Sequence, residues 1–327
     1  MKAAVIEQYG SPDVVKLKEI ITPTPRDNEL LIKVNASTVS SADWRIRSLT
    51  VPAGFGLLVR LAFGVLKPRK SVLGTELAGE VVGIGKNITQ FKPGDEIFAH
   101  PGSQLGAHAE YISLREDSPI ALKPASLSFE EAAALSFGGV TALDFLQNKA
   151  KIRNGEKVLI NGASGAVGTA AVQLAKYFGA EVTGVCSCAN MKLVRSIGAD
   201  RVIDYTREDF MRSGETWDII MDTVGNLPLS RIKNALTVSG RALLVVADLW
   251  NTLRAPLLSR AGGRQYIAGS TRERSEDLTL LAGLAESGQY KPVIDRCYPF
   301  QQIAEAHAYV DTGRKRGSVV IIIHTAM

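Results

Sequence analysis

A chain of 327 residues, 46% hydrophobic and 22% charged with a mean hydropathy of +0.07, carries enough apolar surface for two domains and is not the composition of a disordered segment. Its net charge of +5 is spread over 38 basic and 33 acidic residues with no long run of one sign, which argues against nucleic-acid binding and favours at most an anionic small ligand. The densest basic stretch, Arg314-Lys315-Arg316, reads as a solvated turn. The three cysteines, Cys186, Cys188 and Cys297, have neither metal nor disulfide spacing, so a reducing cytoplasm is the expected setting. Cys186 and Cys188, two apart at a strand end, are expected to point both thiols to one face.

The N-terminus opens on an alternating apolar pattern and has no signal-peptide core. Residues 1–125 hold short β-type runs at 2–6, 29–34, 79–84 and 96–98, broken by glycine and proline, with Pro93-Gly94-Asp95 as a turn. That texture predicts a small, irregular, mostly antiparallel β-domain. Within it the apolar stretch 54–66 is well short of the roughly 20 residues needed to span a bilayer, and Arg60 interrupts it. Stable membrane insertion is not expected. An apolar lid over a pocket, a buried core helix and an interfacial helix all remain open for it.

Near residue 126 the rhythm changes. Ser128 is placed to cap a helix that carries Glu130 and Glu131 in its first turn. From there short strands alternate with longer helices, the pattern of a parallel α/β sheet. From residue 286 the chain returns to β character and ends in the run 318–323; there is no internal repeat.

The strongest chemical signal is a strand, 157–161, running into Gly162-Ala163-Ser164-Gly165-Ala166-Val167-Gly168 and then a helix. That helix carries Val167, Ala170, Ala171, Leu174 and Phe178 at helical spacing, and Gly179 is placed to end it. Against the dinucleotide fingerprint the register is Ala163-x-Gly165-x-x-Gly168. Small residues let the backbone approach a pyrophosphate at the helix N-terminus, and Gly168 allows close helix–strand packing. A bare strand–helix turn would look similar, but a second strand at 181–185 completes the expected unit.

The end of that second strand selects between cofactors. Enzymes that prefer NAD place Asp or Glu there, bonded to the ribose hydroxyls. Here the sequence is Val185-Cys186-Ser187-Cys188-Ala189-Asn190. No carboxylate stands against a 2′-phosphate, Ser187 and Asn190 can donate to one, Lys192 and Arg195 follow, and Tyr205 lies past the third strand. An ordinary strand end before a solvated basic helix is the blander reading; NADPH is the expected cofactor.

These residues, together with Gly74-Thr75-Glu76-Leu77-Ala78-Gly79-Glu80-Val81, Pro93-Gly94-Asp95-Glu96, Ala109-Glu110-Tyr111, Ile197-Gly198-Ala199-Asp200, Ile203-Asp204-Tyr205 and Asp222-Thr223-Val224-Gly225, resemble the medium-chain dehydrogenase/reductases. Within that family the chain is similar to the quinone oxidoreductase-like branch over essentially its whole length. The resemblance implies an α/β fold in which a GroES-like, β-rich substrate domain (1–125 plus 286–327) is interrupted by a Rossmann dinucleotide-binding domain (126–285). It also implies an active site in the cleft between them and a homodimer joined through the edge strands of the Rossmann sheets. For the cofactor it implies contacts from Thr141, Ser164, Gly165, Ala166, Val167, Gly168, Ser187, Asn190, Tyr205 and Val224.

The family divides on zinc. By resemblance, the Cys and His that ligate catalytic zinc in its alcohol dehydrogenases fall at Ser40 and Thr75, which are poor zinc ligands, and no cysteine precedes Cys186 to build the structural zinc lobe. His100, His108, His307 and His324 are too scattered in sequence to suggest a site. No metal is expected. Reduction of an activated acceptor, a quinone or an α,β-unsaturated carbonyl, is then the easier chemistry, because the substrate's own conjugation accepts the hydride and the protein orients and desolvates. The resemblance places Ser40, Asp43 and Trp44 beside nicotinamide and substrate, although Asp43-Trp44 also reads as a capped helix start with a core aromatic.

Two other functions fit the same pattern: an enoyl-thioester reductase of this fold, and an NADPH-binding redox sensor with little turnover. The first is weakened by the lack of tyrosine in 45–65. The short-chain dehydrogenases are excluded, since no tyrosine here has lysine four residues on. Ala189, Asn190 and Ser318 depart from the basic residues common in NADPH-using relatives. The apolar stretch 54–66 would suit a lid that selects bulky hydrophobic acceptors.

Overall fold

The computed structural model describes residues 1–260 and 263–324. The last three residues of the expected 286–327 segment lie outside the described residues. The chain forms two compact units, one made of 1–51, 56–137 and the C-terminal stretch from Glu273, the other of 52–55 and 138–272.

The first unit is β-rich. A hairpin-like pair, β1 (Lys2–Val5) and β2 (Lys16–Glu19), stands apart from a seven-stranded sheet. That sheet contains β3 (Glu29–Thr38), β4 (Leu77–Ile84), β5 (Glu96–Ala99), β6 (Tyr111–Arg115), β7 (Ile120–Leu122), and the C-terminal strands β14 (Ile294–Pro299) and β15 (Ser318–Ile322). The order is β14-β15-β3-β4-β5-β7, with β6 pairing β3 as well, and apart from the parallel β14–β15 pair it is antiparallel. The pairing of β3 with β15 places the two ends of the chain in one sheet. Alternation along β3 aims Leu30, Ile32 and Val34 into a core with Leu77, Val81, Ile97 and Leu114.

Two segments expected with the nucleotide half, 126–137 and 273–285, lie in this first unit. The physical reason is packing: α3 (Phe129–Ala133) sits on β3, β4 and β5, and the helix Ser275–Glu286 sits on β7. The cap expected at Ser128 is present as a reciprocal capping box with Glu131.

The second unit is a six-stranded parallel sheet: β8 (Lys157–Asn161), β9 (Glu181–Cys186), β10 (Arg201–Asp204), β11 (Trp217–Asp222), β12 (Leu236–Leu244) and β13 (Gln265–Ala268). Its order is β10-β9-β8-β11-β12-β13, which is the 3-2-1-4-5-6 order of a dinucleotide-binding sheet with its switch point between β8 and β11. The central strands are buried on both faces, so they read as continuous apolar runs such as Val158-Leu159-Ile160, all unexposed.

Sequence distance hid a buried polar cluster in the first unit. His108 and His307 are fully buried with ring centroids 5.5 Å apart, edge to face. His108 Nε2 lies 2.9 Å from the Thr38 carbonyl, while both nitrogens of His307 lack a partner among the described residues. Nearby Arg47, also unexposed, donates to the Gly10 carbonyl at 2.5 Å and pairs with Asp311. Removing Asp311 would leave that guanidinium buried and uncompensated, and Asp311→Asn is expected to cost about 3 kcal/mol in urea unfolding.

Burial, with the charges of His108 and Arg47, holds the His307 imidazole well below its usual value of 6.5. As pH falls through about 6.5, the unfolded chain takes up a proton that the fold refuses. Stability is therefore expected to drop by up to about 1.4 kcal/mol per pH unit, and His307→Leu should flatten that slope in urea titrations run across the range.

Candidate active site

In the second unit the site is built around the turn from β8 into α5 (Ala166–Tyr177). Gly162 takes φ +80°, and a β-carbon on it would meet Thr223 Oγ1 and Val224 Cγ2, both at 2.6 Å. Gly168 packs so close that a β-carbon would lie 2.1 Å from the Gly162 carbonyl oxygen. The extra glycine before the fingerprint thus has a separate role, letting the β11 loop close over the turn. Gly165 caps α5, and Ala166, Val167 and Gly168 supply first-turn amides that have no partner inside the helix. Small residues, outward amides and the positive end of a helix are what a pyrophosphate requires, so the residues present fit a dinucleotide.

The predicted contacts around this turn come together from two loops. Asn190 donates to Ser164 Oγ at 3.1 Å and to Ser187 Oγ at 3.4 Å, joining the glycine turn to the end of β9. Tyr205 is 59% exposed, with its amide bonded to the Cys186 carbonyl, and Val224 is 49% exposed. Thr141 is buried on α4 (Ser136–Leu143). Lys192 and Arg195 are exposed on the helix Met191–Ser196.

One expectation at this strand end is corrected. The two thiols do not share a face, because β9 stops at Cys186, which is buried, while Cys188 starts a 3-10 turn and is exposed. Burial, helped by the Asp204 charge, pushes the Cys186 thiol up to about 11.

Sequence reasoning also missed a support. Asp222, 2% exposed at the end of β11, accepts from the amides of Val224, Gly225 and Leu227 at 3.0, 2.9 and 3.2 Å and from Asn161 at 2.8 Å. This carboxylate folds the loop that carries Val224 against Gly162. The signal was its position: an acid closing an apolar strand, followed by residues whose amides can turn back on it.

The first unit holds the predicted catalytic residues. Ser40 caps α1 (Ser41–Ser48), accepting from the amides of Ala42 and Asp43 at 3.2 Å each. Asp43, unexposed, answers through one oxygen with bonds from Ser40 N at 2.8 Å and Ser40 Oγ at 2.6 Å; its other oxygen accepts from Gly74 N at 2.9 Å. A capped helix start is thus present, with Ser40 as the cap and Asp43 as its reciprocal partner one turn in. Trp44 is half-buried against a core that includes Val39, Phe300 and Val319. Ser40 Oγ also lies 3.1 Å from Thr75 Oγ1, so the two hydroxyls form a pair backed by Asp43. Among the described residues no group of three or more His, Cys, Asp or Glu side chains could hold a metal ion.

Glu76, next to Thr75, has a part that the sequence pattern alone does not disclose. It is 1% exposed and accepts from Ser136 Oγ at 2.6 Å, Phe137 N at 2.5 Å and the Thr38 hydroxyl. Burial pushes its carboxyl above the ordinary range, against the pull of His100 and these donors.

A 3-2-1-4-5-6 sheet with a glycine turn at its switch point, carried in one chain with a β-rich unit, defines a nucleotide-dependent dehydrogenase or reductase. Comparison with known proteins makes this specific. The family model described as alcohol dehydrogenase GroES-like domain matches residues 26–125, and that described as zinc-binding dehydrogenase matches 197–321. The 2-methylene-furan-3-one reductase of Solanum lycopersicum is 33% identical over 98% of this chain and 79% of its own. The NADPH-dependent alkenal/one oxidoreductase of Arabidopsis thaliana is 31% identical over the same shares. The structure of the quinone oxidoreductase from Coxiella burnetii superposes with a TM-score of 0.86 at 27% identity, covering 99% of each chain. The chain belongs to the medium-chain dehydrogenase/reductase family, among its quinone oxidoreductase-like members, and is an NAD(P)H-dependent oxidoreductase.

Gly168→Ala is expected to cost about 1–3 kcal/mol and to abolish nucleotide binding, because backbone on both sides must move. Unfolding and fluorescence titration with NADPH check the two parts. Ellman's reagent should find Cys188 and Cys297 in the folded protein and Cys186 only after denaturation.

Proposed function

We propose that the chain is an NADPH-dependent reductase that passes a hydride to quinones or α,β-unsaturated carbonyl compounds without a metal. The observation that carries this reading is the β9 end, where Asn190 donates to Ser164 and Ser187 and no Asp or Glu occurs from residue 186 to residue 195; the Asp204 carboxylate opposite Cys186 on β10 is buried and bonded by Thr206. The names of the relatives point the same way: enone and quinone reductases, one of them NADPH-dependent. A zinc-free mechanism is supported by serine and threonine at positions 40 and 75.

When bound, the nicotinamide supplies the hydride. The protein's part is to bind, orient and dry the reacting groups. The α5 N-terminus would take the pyrophosphate, with Ala166, Val167 and Gly168 donating amides and Gly165, whose own amide is bonded to the Gly162 carbonyl, leaving room for the approach. Ser164, Ser187 and Asn190 would hold the 2′-phosphate, and Tyr205, Val224 and Thr141 would contact the rest of the cofactor. In the β-rich unit Trp44 offers an apolar wall to a planar acceptor. Ser40, its proton engaged by Asp43, positions Thr75, whose hydroxyl is the donor left for an acceptor oxygen on which charge develops. The reading includes a homodimer joined through the edge strands of the parallel sheets. It also includes a cytoplasmic location, which suits three free cysteines.

The test is NADPH and NADH oxidation with 1,4-benzoquinone, 9,10-phenanthrenequinone and a simple enone. Turnover with NADPH preferred is expected. Tight NADPH binding without turnover on any acceptor would replace this reading with that of a redox sensor. Ser187→Asp should raise KM for NADPH by about tenfold or more while changing KM for NADH little, the scale of one like-charge contact in a half-exposed site.

A further inference from the structure

The helix α2 (Gly56–Phe63) is built inside out. Its sequence, Gly-Leu-Leu-Val-Arg-Leu-Ala-Phe, is that of a buried helix, yet none of its eight residues is buried. Leu57, Leu58, Leu61, Val65 and Leu66 are 68, 49, 52, 48 and 90% exposed, which is five large aliphatic side chains within ten residues turned to water. Isolated exposed leucines need no explanation; a contiguous set on one short segment does.

The segment is held, not loose. Phe63 packs on the core formed by Val39, Phe300 and Val319, and Tyr9 donates to the Gly64 carbonyl at 2.8 Å. The Arg69 amide bonds back to the Phe63 carbonyl at 2.7 Å. On α2 only Val59 and Phe63, four residues apart, are half-buried, so the helix is pinned by one edge and presents the rest.

The charges around it have one sign. From residue 44 to residue 75 there is no Asp or Glu. Arg60, Lys67, Arg69 and Lys70 are all exposed, and none forms an ion pair among the described residues. Arg60 and Lys70 donate to the carbonyls of Val65 and Gln104, contacts that leave their charge in place. Glu7, which lies near Lys67, is already paired with Lys18 at 2.7 Å.

We propose that α2 and the turn after it, residues 56–70, form a docking surface for an anionic lipid bilayer, with Leu57, Leu58, Leu61, Val65 and Leu66 seated at the headgroup–acyl boundary and Arg60, Lys67, Arg69 and Lys70 on the phosphates. Aliphatic side chains on one edge with basic residues beside them is the composition of interfacial helices. No helix among the described residues is long and apolar enough to cross a membrane, so the contact is peripheral. Charge selects the occupant. A second copy of the chain docking through the same face would bring four cations against the same four cations with no acid in the segment to pair them. The inference stands on exposure and charge and does not depend on the reaction proposed above.

The experiment is vesicle flotation of the full chain. One set of vesicles is phosphatidylcholine alone, the other carries about 30% phosphatidylglycerol, each at low and high salt. Binding to anionic vesicles at low salt, lost with pure phosphatidylcholine and weakened by salt, is expected. Each basic residue near such a surface contributes roughly fivefold to partitioning, so losing three weakens it about a hundredfold, and the triple reversal Lys67→Glu, Arg69→Glu, Lys70→Glu, which also adds repulsion, should weaken it by at least that much. Leu61→Gln with Leu66→Gln should reduce it at unchanged salt dependence, and thermal melting confirms that both variants stay folded. No binding to anionic vesicles, or binding that survives the triple reversal, overturns the proposal. So does a dimer in size exclusion that the leucine variant alone converts to monomer, which would make the face a contact between copies.

Discussion

The nucleotide half of this protein depends on one close approach: the α-carbon of Gly168 against the carbonyl of Gly162. A parallel strand followed by a helix that must lie back across the sheet leaves no room for a side chain where the two first meet. With hydrogen at both positions, the helix axis points at the switch point between β8 and β11, and its free amides face outward. Everything the site offers an anion follows from that alignment. The positive φ of Gly162 adds a second consequence, since the loop after β11 can settle on the turn and carry Val224 to its rim.

The same physical device recurs wherever a loop must hold its shape. A buried carboxylate gathers backbone amides: Asp222 takes three from the loop after β11, Asp43 takes those of Ser40 and Gly74, and Glu76 takes that of Phe137. Each carboxylate is withdrawn from water at a cost, and each is compensated by donors that the fold fixes in place. In the β-rich unit this arrangement brings the Ser40 and Thr75 hydroxyls within 3.1 Å of each other although they are 35 residues apart. Asp43 therefore acts as a staple between the start of α1 and the Gly74 loop.

Two parts of the chain go against the usual sorting of residues by polarity. His108, His307 and Arg47 are polar and fully buried, while α2 is apolar and exposed. The first is tolerated because His307 stays neutral and Arg47 is paired with Asp311. The second has no compensation inside the chain, which is why its explanation is sought outside it.

The sequence by itself determined the alternation of strands and helices from residue 128, the glycine turn and its helix, the cap at Ser128, and the absence of an acid after β9. All of these are local patterns, set by spacing within about ten residues and by the special conformations of glycine and capping side chains. The side taken by residues 126–137 and 273–285 was out of reach, because a helix pattern states that a helix forms but not which sheet it packs on. The opposite burial of Cys186 and Cys188, the pairing of His108 with His307 and the roles of Glu76 and Asp222 were equally out of reach, since each rests on partners brought near by the folded sheets. The apolar stretch 54–66 was visible, but lid, core and interfacial helix share one sequence pattern. Only the tertiary structure, by pinning Val59 and Phe63 and leaving the leucines in water, decided which face of that helix the protein keeps for itself.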